Sequence, residues 1–448
     1  MSGGVSPRRR REVIDALRRG TVPANGLDLL AVGLERFIPA LDTDLDTVVA
    51  GGSAFKAIRG EYGAGKTFVT RFISERALRR GFATAEVQIS ETQTPLHKLE
   101  TVYRRIGEAL RTSAFPPSAF RSVLDAWLFT LESDATEADP SLSARGPAAF
   151  SDAVERLLEQ RLAAVSTRTP AFASVLRAYR AAVVAEDHAT ADALASWLGG
   201  QPHVAAAAKR AAGVRGELDH FGAMGFLQGL LVVLRDAGHP GLLLVLDEVE
   251  TLQRVRGDVR DKALNAIRQL IDEVDAGRYP GLFLVITGTP AFYDGPSGVP
   301  RLPPLAQRIA TDFATDARFD NPRAVQLRLT GFDQRTLVSL GCRVRDLYAD
   351  GTSEPGRILD VVDDAYVATL ATAVTGSLSG KVGIAPRVFL KKLVGDVLDR
   401  VDQFADFNPR AHYALTLQRD ELNEVEHNAF AATSASAAHP DDVDLDLG

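Results

Sequence analysis

The sequence predicts an α/β fold, a parallel sheet flanked by helices. Two continuous apolar runs, GLLLVLDE (241–248) and GLFLVITGTP (281–290), each begin with a glycine and are typical of strands buried on both faces of a parallel sheet. From about Gly52, the apolar stretch AFKAIRG, a glycine-rich loop and the helical pattern KTFVTRFISERALRRG follow one another. TAEVQIS (84–90) then predicts another strand, which completes a βαβ unit, and AVQLRLT (324–330) predicts a further strand.

Composition narrows the class of protein. The chain has 448 residues, a hydrophobic fraction of 46% and a formal net charge of −7. Because the net charge is negative, any contact with nucleic acid has to come from a local basic patch. The single cysteine, Cys342, excludes an internal disulfide framework and a cysteine-based zinc site. The charged N-terminus has no apolar core of a secretory signal, and the longest apolar runs are too short to cross a bilayer. We therefore expect a cytoplasmic protein without a membrane partner.

Pattern changes along the chain predict its domain organisation. Residues 8–19 form a short basic amphipathic pattern, and 28–41 predict a second helix. Periodic helical segments fill most of 95–236, and helical patterns return after Gly331. The predicted domains are an N-terminal helical segment (1–52), a core with phosphate-binding loop (53–330) and helical insertion (about 95–236), a C-terminal helical lid (331–430) and a disordered acidic tail (431–448). The stretch 380–430 is a candidate DNA-binding module.

The loop GEYGAGKT, residues 60–67, fits the phosphate-loop pattern G-x-x-x-x-G-K-[ST]. It lies between a predicted strand and a predicted helix, which is the context that its chemistry requires. Glycines let the backbone N–H groups face a phosphate, Lys66 reaches the β- and γ-phosphates, and Thr67 offers a hydroxyl to Mg²⁺ at the helix start. The predicted nucleotide-binding residues here are Gly60, Glu61, Tyr62, Gly63, Ala64, Gly65, Lys66, Thr67 and Phe68.

Acidic and hydroxyl residues follow the two apolar strands. Asp247 and Glu248 end the run LLLVLDE, as in a Walker B motif, where Asp247 would hold Mg²⁺ and Glu248 would polarise the attacking water. Thr287 and Thr289 end the next strand. If that strand lies between the other two, one of the threonines would contact the γ-phosphate or the lytic water. The pattern does not decide which one.

Two arginines are candidate charge stabilisers. Arg308 precedes the strand AVQLRLT and is a candidate arginine finger for the nucleotide of a neighbouring subunit in a homo-oligomer. Arg387 follows Pro386 at the start of a late helix and is a candidate sensor of the γ-phosphate. A surface or ion-paired role is the alternative for Arg308, and a structural role is the alternative for Arg387. The predicted cofactors are ATP and Mg²⁺.

Together these motifs resemble an AAA+ ATPase of the branch that includes origin-recognition and replication-initiator ATPases. RREVIDALRRGTVPANGLDLLAVGLER, IRGEYGAGKTFVTRFI, ETQTPLHKLETVYRRI, LLLVLDEVETLQR, ITGTPAFYDG and GIAPRVFLKKLV resemble the BREX-associated ATP-binding proteins of bacterial phage resistance, of the BrxD type. The resemblance covers roughly residues 8–400. It implies an ATPase that works beside a helicase and other defence proteins on DNA, with Lys66 and Thr67 binding nucleotide and Mg²⁺.

Alternatives remain open for DNA contact and for activity. Arg254, Arg256, Arg260, Lys262 and Arg268 could face DNA or be the solvated face of a helix, and the N-terminal arginine run is a second candidate patch. The leading function is an ATP-hydrolysing motor or switch. A nucleotide-gated assembly module with little hydrolysis is the second, and a small-molecule kinase is the third.

Overall fold

The structure, a computed structural model, describes residues 5–377 and 386–416. Its centre is a five-stranded sheet in the order β2-β3-β4-β1-β5. The strands are β1 (Ala54–Gly60), β2 (Ala83–Gln88), β3 (Leu242–Asp247), β4 (Leu282–Gly288) and β5 (Gln326–Leu329). The predicted α/β class with a parallel sheet flanked by helices is confirmed.

The register of the central strands is continuous and parallel. Residues 54–59 of β1 pair in order with 283–288 of β4, and β3 pairs in parallel with both β4 and β2. Every residue of β3 and β4 is buried, as their continuous apolar runs predict. Since the strands run in one direction, the carboxyl ends of β1, β3 and β4 lie at one edge of the sheet. The phosphate loop begins where β1 ends, at this edge.

Helices precede, connect and follow the strands. Their bounds are α1 (Pro7–Arg18), α2 (Ile38–Val49), α3 (Lys66–Arg79), α4 (Leu99–Ala109), α5 (Phe120–Ala138), α6 (Pro147–Arg168), α7 (Pro170–Val184), α8 (His188–Leu198), α9 (Ala206–Ala211), α10 (His220–Asp236), α11 (Gly257–Asp275), α12 (Pro290–Asp294), α13 (Pro303–Ile309), α14 (Gln334–Ala349), α15 (Pro355–Val361), α16 (Asp364–Ser377), α17 (Pro386–Lys391), α18 (Asp399–Gln403) and α19 (Pro409–His412). A π-helix, Lys392–Leu398, joins α17 to α18. Within the described ranges, no helix is both long and apolar enough to span a membrane.

The predicted helix over 28–41 is wrong. A 3-10 turn covers Leu27–Leu29, and the next α-helix begins only at Ile38. Gly26 and Gly33 have φ angles of 82° and 80°, in the left-handed region that interrupts a right-handed helix. Apolar residues of this segment are buried although the segment is irregular. Leu30, for example, is 4% exposed.

The chain divides into two compact units. The helical unit comprises Met1–Ile38, Gly60–Glu75 and Arg328–Gly448, and the sheet unit comprises Pro39–Arg59 and Arg76–Leu327. The disordered tail predicted at 431–448, and residues 380–385 and 417–430 of the candidate DNA-binding module, lie outside the described residues.

Each unit has its own apolar core. In the helical unit, Val13, Ile14 and Leu17 on one face of α1 join a buried cluster with residues of α14, α16 and the segment α17–α18. In the sheet unit, the strands and α4–α11 share a larger cluster, in which the Phe226 ring packs edge-on against Tyr103, Phe172 and Trp197. The helical insertion therefore belongs to the core of the sheet unit.

Candidate functional site

The phosphate loop has the backbone that its glycines predict. Gly63 and Gly65 have φ angles of 80° and 90°, and a Cβ built on Gly65 would meet no described atom within 4 Å. Backbone conformation, and not crowding, therefore requires glycine at Gly65. Helix α3 begins directly afterwards, with Val69 N donating to Gly65 O at 2.9 Å.

Lys66 folds back onto its own loop. Its Nζ donates to Gly60 O at 2.9 Å and to Glu61 O at 3.4 Å, and lies 5.0 Å from the centre of the Tyr62 ring. The lysine is 8% exposed, while Tyr62 is 44% exposed. The ammonium group is thus held at the amino end of α3, where backbone N–H groups and the helix dipole favour an anion.

Asp247, Glu248 and Thr287 form one hydrogen-bonded group at the carboxyl ends of β3 and β4. Thr287 Oγ1 donates to Asp247 Oδ1 and accepts from Glu248 N at 3.1 Å. Glu248 N also donates to Asp247 Oδ1 at 3.1 Å. Asp247 is 6% exposed and Thr287 is fully buried, so the three residues form a preorganised polar cluster at the ends of two strands.

Glu248 has an unusual backbone. Its φ of 60° and ψ of 42° place a non-glycine residue in the left-handed region, a strained conformation that is enriched at functional sites. The conformation turns the chain out of β3 into a 3-10 segment, Val249–Arg254.

Gln88 is a residue that the sequence interpretation missed. It ends β2, the neighbour of β3, and its Nε2 donates to Glu248 Oε2 at 2.9 Å. The signal for this contact is the position of Gln88 at the end of a strand, but only the order of strands in the sheet shows that β2 adjoins β3.

The two candidate threonines differ in their contacts. Thr287 bonds to Asp247 and Glu248, whereas Thr289 is the residue before α12, and its side chain makes no capping hydrogen bond there. Both are buried. Of the two, only Thr287 joins the acidic pair through hydrogen bonds of the described structure.

Arg308 and Arg387 each have contacts within their own unit. Arg308, on α13, donates through Nε to Asp272 of α11 and through Nη1 to Pro304 O at 3.1 Å. Arg268 donates to the other oxygen of Asp272 at 2.6 Å. In the helical unit, Arg387 lies beside the turn that follows α1, with its Nη1 3.3 Å from the Cβ that Gly20 lacks. Arg308 would have to leave Asp272 to act as a finger.

The candidate DNA-contacting arginines are partly committed to local bonds. Arg260 donates to the carbonyl oxygens of Leu252, Gln253 and Val255, and so caps the 3-10 segment. Arg254, Arg256 and Lys262 are exposed. In the N-terminal run, Arg9 pairs with Asp28 and Arg10 donates to Asp350 O, so these two arginines tie α1 into the helical unit.

The family comparison agrees with the geometry of the loop. The family described as BREX system ATP-binding protein BrxC/D matches residues 5–417 of the chain. The chain belongs to this family. The match covers both compact units except for the ends of the chain. A search of curated proteins finds no match to the chain. Family membership indicates an ATP-binding role in phage defence and the presence of other defence-system partners.

Proposed function

We propose that this member of the BrxC/D family is an ATP-hydrolysing AAA+ protein of the BrxD type, related to the initiator branch, that acts on DNA or on a DNA-bound complex. The observation that carries the proposal is the strand–loop–helix around Lys66. Its glycines with left-handed φ angles and its buried lysine suit the binding of a triphosphate.

In the loop, residues 60–68 bind the nucleotide. Lys66 exchanges the carbonyl oxygens of Gly60 and Glu61 for phosphate oxygens, because a charged acceptor makes the stronger hydrogen bond. Tyr62, whose ring lies over Lys66, moves with this exchange. Thr67 supplies a hydroxyl ligand at the amino end of α3.

Asp247 and Thr67 would hold Mg²⁺, since carboxylate and hydroxyl oxygens are the donors that this ion prefers. The ion would neutralise charge on the phosphates. Glu248 orients and deprotonates water. Thr287 is the sensor threonine, because its hydroxyl already bonds both Asp247 and the backbone of Glu248.

Two arginines complete the proposal. Arg308 leaves Asp272 to reach the nucleotide of a neighbouring copy in a homo-oligomer, and Arg387 reports the γ-phosphate to the C-terminal helices. The lid role of those helices and the helicase partner come from the resemblance. DNA contact is assigned to the exposed Arg254, Arg256 and Lys262.

One observation favours a second candidate, a nucleotide-gated assembly module with little basal hydrolysis. Gln88 donates a hydrogen bond to one carboxylate oxygen of Glu248, so this oxygen is already occupied and is not available to orient a water molecule. On this reading, turnover waits for a partner that separates Gln88 from Glu248.

The deciding measurement is ATP hydrolysis by the wild type and by Glu248→Gln, with and without double-stranded DNA, over a range of protein concentrations. We expect the wild type to hydrolyse ATP and the variant to bind ATP without cleaving it. A loss of about 10²-fold or more is expected for removing the residue that orients the water. A rate per subunit that rises with concentration would support Arg308 acting across subunits.

Other outcomes contradict parts of the proposal. If both proteins bind ATP and neither hydrolyses it under any condition, the assembly module is correct and the role given to Glu248 is wrong. If DNA changes neither rate nor affinity, the DNA assignment fails and ATP hydrolysis stands.

A further inference from the structure

Arg59, the last residue before the phosphate loop, has a buried and specific environment. Its side chain is only 10% exposed, although it carries a positive charge. The guanidinium group donates to both carboxylate oxygens of Asp294, with Nη1 3.2 Å from Oδ1. Its central carbon lies 4.8 Å from the centre of the Phe313 ring and 5.8 Å from that of Tyr293. An ion pair and two aromatic faces therefore fix this side chain.

Helix α12 supplies most of these contacts and also holds the strand beside Arg59. The hydroxyl of Tyr293 donates to Ile58 O at 3.4 Å, one residue before Arg59. The helix itself is firmly seated, because a Cβ on Gly288 would lie 3.0 Å from the Phe292 ring. Gln253, in the segment after β3, donates to Ala291 O at 2.9 Å. The end of β1 is thus attached to an element that is anchored on β4 and on the segment after β3.

We propose that Arg59 is a positioning residue for the phosphate loop. Its bond to Asp294 fixes where β1 ends, and therefore the direction in which the chain leaves the sheet at Gly60. Because the loop is covalently continuous with Arg59, a shift of this side chain displaces the N–H groups that follow. The inference rests on the proposed function, since it takes ATP as the ligand of the loop.

The charge distribution explains why arginine suits this position. Asp294 is 64% exposed, so water screens it, whereas the positive charge of Arg59 is buried. A buried cation is costly unless hydrogen bonds and opposite charge compensate it. Since Arg59 Nε has no partner among the described residues, the compensation comes from the rest of the guanidinium group. Two N–H groups toward Asp294 and two ring faces compensate the charge. Lysine offers neither the planar fork nor the stacking surface.

The test compares Arg59→Met and Arg59→Lys with a matched control, Arg180→Met. Arg180 is a buried arginine of the same unit, 7% exposed, and donates to the half-exposed Glu155 at 2.6 Å. It lies on α7 and belongs neither to β1 nor to the loop that follows β1. Both methionine variants lose the ion pair of a buried arginine, so both should lower thermal stability. Only the Arg59 variants should change nucleotide affinity.

We expect Arg59→Met to raise the Kd for a fluorescent ATP analogue by about tenfold, a change typical of residues that act through a neighbour. Arg59→Lys should give an intermediate Kd, and Arg180→Met should keep the wild-type Kd. In hydrolysis assays, KM for ATP should rise while kcat at saturating ATP stays within about twofold, since Glu248 is untouched. A loss of folded protein would instead lower the apparent kcat without raising KM.

The inference is overturned if the wild type binds the analogue and both Arg59 variants bind it as tightly as Arg180→Met does. The proposed function then survives. If the wild type itself binds no ATP analogue, the proposed function fails and the inference fails with it. If Arg59→Met does not fold, Arg59→Lys alone decides, because a Kd equal to that of the wild type contradicts positioning by the guanidinium fork.

Discussion

At the scale of single residues, Thr287 makes the most specific prediction. Its hydroxyl donates to Asp247 and accepts from Glu248 N, and it is fully buried. Thr287→Val keeps the shape of the side chain but removes two hydrogen bonds of a buried hydroxyl, at a cost of about 1–3 kcal/mol in the free energy of unfolding. We expect hydrolysis to fall by at least about tenfold as well, because the Asp247 carboxylate and the backbone N–H of Glu248 lose the hydroxyl that bonds to both. Chemical denaturation and steady-state ATPase assays measure both effects.

The controls for Thr287→Val are Thr287→Ser and Thr289→Val. Serine keeps the hydroxyl and should retain most activity. Thr289→Val should change stability less, because the Thr289 side chain caps no helix. Equal losses in Thr287→Val and Thr289→Val would show that the hydrogen bonds of Thr287 have no special role.

Cys342 gives a prediction about pH. Burial, and then a hydrogen bond to Asp364 at 3.4 Å, raise the pKa of the thiol to about 11. Only the thiolate reacts with a disulfide reagent, so labelling of the native protein should be slow at pH 8 and should accelerate as pH rises toward 11. Asp364→Asn removes the negative charge that disfavours the thiolate, and should therefore lower the pKa and speed labelling at pH 8. A labelling rate that does not depend on pH between 8 and 10 would contradict the raised pKa.

At the scale of elements, Glu75 joins α3 to the N-terminal turn within the helical unit. Its buried carboxylate accepts from Gly26 N and Leu27 N, both at 2.9 Å. An amide oxygen can replace only one carboxylate oxygen here, so Glu75→Gln should lower the free energy of unfolding by about 1.5–3 kcal/mol. Urea denaturation measures the loss.

The matched control for Glu75→Gln is Glu12→Gln, which alters an exposed acid paired with Arg8. An exposed pair contributes little, so the expected change is below about 1 kcal/mol. If both variants lower the free energy of unfolding by the same amount, the hydrogen bonds from Gly26 and Leu27 to Glu75 do not stabilise the protein.

Sequence patterns predicted elements well where one local feature decides the structure. The runs at 241–248 and 281–290 became β3 and β4 because strands buried on both faces need uninterrupted apolar residues. The helix expected over 28–41 failed because Gly26 and Gly33 adopt left-handed angles that no apolar pattern reveals. The bond between Gln88 and Glu248 joins residues 160 positions apart and depends on the order of the strands, which local patterns do not contain.

At the scale of the whole molecule, the chain is not divided at a single point. The helical unit takes residues from both ends of the described chain and from Gly60–Glu75, and the sheet unit takes the rest. A prediction from composition shifts draws boundaries along the sequence, and so does not place α1 beside α14 and α17. That packing buries the apolar face of α1, which carries Val13, Ile14 and Leu17.

A ligand that binds only the folded chain stabilises it by mass action. At an ATP concentration about 100-fold above Kd, the free energy of unfolding should rise by about 2.7 kcal/mol. Lys66→Ala should remove this gain. In the absence of ATP, the same variant should cost only about 1 kcal/mol, because Lys66 then bonds to carbonyl oxygens of its own loop. Thermal unfolding over a series of Mg·ATP concentrations separates the stabilisation by bound ATP from the cost of the substitution itself. The melting temperature of the wild type should rise with ATP, and that of Lys66→Ala should stay constant. A variant that keeps the full ATP-dependent rise would show that ATP binds elsewhere than at the loop.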